Sequence, residues 1–216
     1  MKTGRTRLRV WKIALYNRKG GPGKSTTAIC LAVVAAEKQR VAIVDADPQG
    51  SVTAWSRRRK GDAPRVLAAS LLRLPEALAA ADAEGYDGSV VDLPGSYGLD
   101  EIDALSRSKV DLVVVPVRPT ALDLAASRST LEALAAQHLR AVVVLTQVRA
   151  RGRESNEIRE ALSRSAPVLR STLGERIAYQ IAISGGEGVT EYDPHSLAAD
   201  EVHALFAEIR RTIRGK

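Results

Sequence analysis

The chain has one cysteine, few aromatic residues and no long apolar run, and each shortage removes a class of function. Cys30 stands alone inside an apolar stretch and reads as a core residue. No disulfide can close within the chain, which fits a cytoplasmic protein. No cysteine pair exists to hold an iron–sulfur cluster or a soft metal. His138, His195 and His203 lack the spacing of metal ligands. No Ser/His/Asp constellation is visible. No stretch reaches the about 20 apolar residues of a membrane span, and the first residues lack the apolar core of a signal peptide. Aromatic residues make up 4% of the chain, so its core must be Ala, Val, Leu and Ile.

What is present suits one α/β domain. The 216 residues are 45% hydrophobic, ample for a single core. Short apolar runs near 41–45, 89–93, 111–117 and 141–145 alternate with helix-like stretches. That alternation predicts an α/β fold: a mostly parallel central sheet with helices on both faces. Residues 1–9 carry Lys2, Arg5, Arg7 and Arg9 and read as a basic arm, too short for a helix-turn-helix domain. Residues 10–216 read as the domain itself, with no linker, repeat or low-complexity tract.

The chemistry concentrates in Lys19-Gly20-Gly21-Pro22-Gly23-Lys24-Ser25-Thr26. An apolar strand, Val10 to Leu15, precedes this loop, and an apolar helix, Thr27 to Ala36, follows it. Strand, glycine loop and helix are the context of a phosphate cradle. The glycines let backbone N–H groups turn inward, and the helix contributes its positive N-terminal end. Lys24 is placed for the β- and γ-phosphates, and the Ser25 hydroxyl for Mg²⁺. A glycine-rich turn that merely ends in Lys-Ser is the alternative, which the flanking strand and helix disfavour. Pro22 has no N–H, so the cradle loses one donor.

Two apolar strands downstream end in carboxylates. Val41 to Asp45 runs into Ala46-Asp47-Pro48-Gln49-Gly50, and strand alternation points Asp45 and Asp47 to the same side. Ser89 to Asp92 runs into Leu93-Pro94-Gly95. In open α/β sheets such strand ends face the ligand. Taken singly, each aspartate could be a turn or cap residue.

Lys19 stands five residues before Lys24, where the common phosphate loop has glycine. In this the loop resembles the deviant Walker A loop of the ParA/MinD family of P-loop ATPases. The likeness runs from about Val10 to the end of the chain. It includes Asp111 to Thr120, Ala121 to Leu124 and the late segment Gly188 to Pro194. Length and the stretch Asp47 to Trp55 are most similar to the short ParF-like partition ATPases. Arg18 and the Leu93-Pro94-Gly95 turn depart from the family pattern. The resemblance implies the P-loop NTPase fold and a homodimer with ATP sandwiched between subunits. Lys19 would reach the partner's phosphates. The implied catalytic residues are Lys19, Lys24 and Asp47, the last positioning the attacking water. Residues Lys19 to Thr26 would bind ATP, and Ser25, Asp45 and Asp92 would surround Mg²⁺. The lack of paired cysteines sets the chain apart from the reductases that share this loop.

The formal net charge is +7. A basic balance suits a polyanion partner, or simply a solvated surface. Arg57-Arg58-Arg59-Lys60 is one cluster, and the series Arg149, Arg151, Arg153, Arg164, Arg170, Arg176 is another, interleaved with glutamates. The resemblance implies DNA binding without sequence preference. Arg149, Arg151, Arg153, Arg170 and Arg176 are the candidate contacts. A separate centromere- or cargo-binding adaptor protein and a nucleoid-associated location follow from the same likeness. The last helix, about Leu197 to Ile213, places Val202, Leu205, Phe206, Ile209 and Ile213 on one face. It reads as packed on the sheet rather than as a membrane anchor, because Asp200, Glu201 and Glu208 suit lipid headgroups poorly.

The expected activity is slow, partner-stimulated ATP hydrolysis that positions or segregates a plasmid, chromosome or other cargo. A membrane-associated positioning ATPase of the MinD type, an ATP-coupled biosynthetic enzyme similar to dethiobiotin synthetase, and a switch that barely hydrolyses remain alternatives.

Overall fold

The computed structural model describes residues 10–95, 98, 100–149 and 154–215. Seven strands form one sheet in the order β3-β2-β4-β1-β5-β6-β7. They are β1 Trp11–Leu15, β2 Val41–Asp45, β3 Arg65–Ala68, β4 Gly88–Asp92, β5 Leu112–Val117, β6 Ala141–Val148 and β7 Val168–Gly174. Every neighbouring pair is parallel, so the sheet is wholly rather than mostly parallel. The helices are α1 Lys24–Ala36, α2 Ser51–Ser56, α3 Leu74–Ala83, α4 Asp100–Ser108, α5 Ala121–Ala136, α6 Glu154–Ser163, α7 Ile177–Ser184, α8 Val189–Tyr192 and α9 Leu197–Arg214.

The period-2 alternation of strands builds two apolar layers. Ile13 and Leu15 of β1 point to one face, with Ile43, Val114 and Val144, and are covered by α1 and α9. Ala14 points to the other, with Val44, Val91, Val113 and Val143, under residues of α3, α4 and α5. Both faces are buried, so the strands read as continuous apolar runs. Helix α1 is apolar all round because it lies between the sheet and α8 and α9. In α9, Val202, Leu205 and Ile209 are fully buried. Each contributes on the order of 1.5–3 kcal/mol as an upper estimate.

Strand order places the site. From β1 the chain passes to β2 and β3 on one side, returns to insert β4 between β2 and β1, and then builds β5, β6 and β7 on the other side. The crevice at the carboxyl ends beside β1 is therefore the topological switch point, where ligands bind. Several sequence-based boundaries shift, among them β4, β5 and α9 by one residue and β6, which runs on to Val148. Strand β1 begins one residue later, at Trp11; α1 begins three earlier, at Lys24; and the late segment before the last helix contains a helical turn, α8.

Candidate nucleotide site

The loop between β1 and α1 turns at Gly21 and Gly23, whose φ angles are +89° and +86°. Both lie in the left-handed region that glycine adopts freely. Gly23 then caps α1, and Lys24 and Ser25 open its first turn. The loop is braced from three sides. Asn17 accepts from the Lys19 N–H at 3.1 Å and donates to the Pro116 carbonyl at 2.8 Å. The Thr146 hydroxyl donates to the Pro22 carbonyl at 2.8 Å, and the Gln147 amide donates to the Gly21 carbonyl at 3.1 Å. Pro22 thus supplies no donor to a phosphate, yet its carbonyl anchors the loop to β6.

The two lysines take different places. Lys24 is 8% exposed and its ammonium donates to the Lys19 carbonyl at 3.2 Å. Burial draws its pKa down, opposed by Asp92 and Asp47. The Lys19 ammonium instead lies 2.6 Å from Asp123 Oδ1. Asp123 is 1% exposed and also takes Arg118 Nε and the Thr120 hydroxyl, each at 2.8 Å. Burial alone would raise its carboxyl, but the bonds from Arg118, Lys19 and Thr120 hold it below the usual range.

Asp45 and Asp92 are register partners at the ends of β2 and β4. Asp45 Oδ2 accepts from the Thr53 N–H and hydroxyl, each at 2.7 Å, which fixes α2. Its Oδ1 has no hydrogen-bond partner among the described residues, and neither oxygen of Asp92 has one. Burial pushes Asp92 up to about 7, opposed by Ser25, reinforced by Asp45, relieved by Lys24 and raised again by Asp47. Buried oxygen acceptors without partners beside a serine hydroxyl suit a hard cation. Among the described residues no three His, Cys, Asp or Glu side chains converge as a metal cage. Such a donor set fits Mg²⁺, which keeps waters and takes phosphate oxygens. Asp47 sits at the cavity wall and accepts from the Gln49 N–H at 2.9 Å.

A cavity of about 960 Å³ opens above the loop. Its floor is Gly20, Gly21 and Gly23 to Thr27, one wall includes Asp47 to Gln49, and another is Leu173 to Ile177 with Tyr179 and Gln180, at the end of β7 and the start of α7. The size suits a nucleotide. Gly95 closes over the phosphate end: a Cβ there would meet Lys24 Nζ at 2.6 Å and the Lys19 carbonyl at 3.2 Å.

The candidate DNA contacts are less uniform. Arg149 is 82% exposed at its side chain and pairs with Glu175 at 2.9 Å. Arg170 is exposed. Arg176 is drawn to Glu201 at 2.6 Å and lines the cavity. Arg151 and Arg153 lie outside the described residues. Sequence reasoning missed Asp123, Thr146, Gln147 and the β7–α7 wall. None stands in a short motif with the phosphate loop.

Residues 13–189 match the family model of the CobQ/CobB/MinD/ParA nucleotide binding domain. The chain belongs to this family. The protein ParA of Rhizobium radiobacter is 30% identical over 187 residues, covering 81% of this chain and 82% of the relative. The maintenance of carboxysome distribution protein A of Halothiobacillus neapolitanus is 29% identical over 212 residues, covering 93% and 97%. The fold is that of the septum site-determining protein MinD of Pyrococcus horikoshii, solved with Mg-ADP. There the TM-score is 0.76 at 17% identity, over 94% of this chain and 97% of the other. In this MinD/ParA family member the lysine-bearing loop, the two strand-end aspartates and the cavity lie together at the carboxyl ends of the strands.

Proposed function

We propose that the protein is a ParA-type ATPase that dimerises on ATP, binds DNA without sequence preference and positions a cargo through partner-stimulated hydrolysis. The observation that carries this reading is the place of Lys19. Lys24 already supplies the cradle's own cation, while Lys19 is held at the rim by Asp123, outside the cradle. A second cation at the rim is of use to a nucleotide presented by another subunit.

In this reading Lys24 and the loop N–H groups bind the β- and γ-phosphates. Ser25, Asp45 and Asp92 hold Mg²⁺, which neutralises phosphate charge when bound. Asp47, at the cavity wall, orients the attacking water. Lys19 leaves Asp123 and adds its charge across the dimer. The names of relatives, a maintenance of carboxysome distribution protein and a chromosome-partitioning ATPase, support a chromosome or a protein body such as a carboxysome as cargo. An adaptor protein would mark that cargo. The buried apolar face of α9 speaks against membrane anchoring by that helix, and no helix among the described residues is long and apolar enough to cross a membrane.

The test is light scattering and DNA binding with ATP, with ADP and without nucleotide. Wild type and Asp47→Ala are expected to dimerise and bind random-sequence DNA with ATP, and Asp47→Ala to stay bound. Lys19→Ala is expected to bind ATP and remain monomeric. Dimerisation that survives in Lys19→Ala would overturn the role of this lysine. No DNA binding in any nucleotide state would overturn the positioning mechanism.

A further inference from the structure

One buried carboxylate at the rim of the phosphate loop holds two cations. Asp123 lies in the first turn of α5. Its Oδ1 takes Lys19 Nζ at 2.6 Å and Arg118 Nη2 at 3.3 Å. Its Oδ2 takes Arg118 Nε and the Thr120 hydroxyl, each at 2.8 Å. The Asp123 N–H donates back to the Thr120 hydroxyl at 3.2 Å, and the Thr120 N–H donates to the Arg118 carbonyl at 2.8 Å. Arg118, Thr120 and Asp123 therefore belong to one tight turn. Lys19 arrives from a separate element, the loop between β1 and α1.

The two cations are not equivalent. Arg118 forks both carboxylate oxygens, and such a bidentate pair is stronger and more fixed in direction than one ammonium contact. Lys19 makes a single contact to Asp123 and keeps 27% of its side chain exposed. One carboxylate balances one cation, so the trio of Lys19, Arg118 and Asp123 carries a surplus positive charge. An acid in the first turn of α5 suits the helix dipole, but that does not explain two cations on it. Without Arg118, departure of Lys19 would leave the buried carboxylate with the Thr120 hydroxyl alone. A buried charge without its counter-ion is strongly unfavourable. With Arg118 in place both oxygens stay paired, and the like charge of the guanidinium weakens the hold on the ammonium. The guanidinium also stands over the loop: a Cβ on Gly21 would lie 3.9 Å from Arg118 Nη1.

We infer that Arg118 is a positioning residue that sets how readily Lys19 leaves its own subunit: it keeps Asp123 paired while the lysine reaches for the nucleotide of a second copy of the chain. The inference rests on the role across the dimer proposed above for Lys19, and it names the group that the exchange requires. Arg118 does not make the crossing itself. Its departure would break two hydrogen bonds within its own turn, against one contact for Lys19. A symmetric dimer exchanges two lysines, so the penalty of losing Arg118 counts twice in the dimer equilibrium.

The experiment measures self-association of the full chain by analytical ultracentrifugation with a non-hydrolysable ATP analogue, and ADP affinity by calorimetry. It compares wild type, Arg118→Gln, Arg118→Lys, Arg118→Gln/Asp123→Asn and Lys19→Ala. Arg118→Gln is expected to raise the dimer Kd about a hundredfold, about tenfold for each subunit, with ADP affinity near that of wild type. In Arg118→Gln/Asp123→Asn no carboxylate holds Lys19, and dimerisation should return to the wild-type level or beyond. Undiminished dimerisation in Arg118→Gln overturns the inference. So does a double variant as weak as Arg118→Gln, which would make Arg118 a structural brace. A parallel loss of ADP affinity in Arg118→Gln also overturns it, because the guanidinium beside Gly21 would then act on the nucleotide directly. Arg118→Lys keeps the charge but loses the fork, and it should weaken dimerisation by less. It is the deciding variant if Arg118→Gln does not fold, and equality with wild type then overturns the inference. Lys19→Ala separates this inference from the reading beneath it. If Lys19→Ala dimerises as wild type does, or wild type does not dimerise, the role of Lys19 across the dimer falls and this inference with it. If Lys19→Ala fails to dimerise while Arg118→Gln is unaffected, only this inference falls.

Discussion

Lys19 Nζ and Asp123 Oδ1 are 2.6 Å apart, across a sequence separation that joins the first loop of the chain to the start of α5. The lysine that sets this loop apart is therefore neutralised within its own subunit. In the proposed dimer, release from Asp123 would be the step that makes it available to a partner.

Asp123→Asn is expected to destabilise the nucleotide-free protein, because it leaves Lys19 and Arg118 without their carboxylate. Breaking a buried pair costs about 3–5 kcal/mol, and the partly exposed cations reduce that to about 1–3 kcal/mol. The sign with pH follows from a carboxyl held below its ordinary value. Its contribution is present above the unfolded pKa of about 3.9 and is lost as pH falls through the lower folded value. Urea titrations at neutral pH should show the gap between the two proteins, and titrations in progressively stronger acid should show it closing. A gap that does not change in acid would count against the ion pair.

Gly95→Ala should weaken ATP binding. The added carbon would lie 2.6 Å from Lys24 Nζ and 3.2 Å from the Lys19 carbonyl. The ammonium can move, but the carbonyl belongs to the loop. Overpacking of about 1–3 kcal/mol corresponds to roughly fivefold to a hundredfold or more in affinity. Calorimetric titration with ATP would measure it; an unchanged affinity would mean that the turn after Asp92 yields freely.

Thr146→Val should leave the buried Pro22 carbonyl without its donor. The expected cost is about 1–3 kcal/mol in stability, with weaker nucleotide binding because the loop loses its tie to β6. Thr146→Ser retains the hydroxyl and should restore most of both. Failure of the serine variant to do so would assign the effect to the lost methyl group.

Gly88→Ala should be among the most disruptive single changes. Gly88 is the register partner of Trp11, and an added Cβ would fall on the Trp11 ring carbons. The ring is buried at 2% exposure, edge-on to Phe206 and beneath Arg210. The expected destabilisation is about 3 kcal/mol or more. Thermal unfolding followed by tryptophan fluorescence would read it, and a near-native midpoint would show that the ring can shift.

The phosphate loop, the central strands and the α/β class were legible because each rests on local chemistry. Glycines at Gly21 and Gly23 permit the turn, and the runs 41–45 and 111–117 are apolar enough to be buried on both faces. The edge strands were not legible. Arg65–Ala68 is short and partly exposed, and Val168–Gly174 is interrupted by Arg170 and Ser171, so neither shows a clean apolar period. Asp123 looked like any acidic residue in the first turn of a helix. Its role depends on β5 lying beside β1, which brings α5 against the loop.

The sequence by itself determined that a glycine loop, a lysine and a helix start would follow the first strand, since the three are consecutive. It also determined that two strands would present Asp45 and Asp92 at their ends. Only the tertiary structure decided which charges remain available. It buried Asp123 against Lys19, committed Arg176 to Glu201, and set Arg210 against Trp11 from nearly the opposite end of the chain. Charge adds up over distance in space, and sheet order, rather than sequence separation, sets that distance.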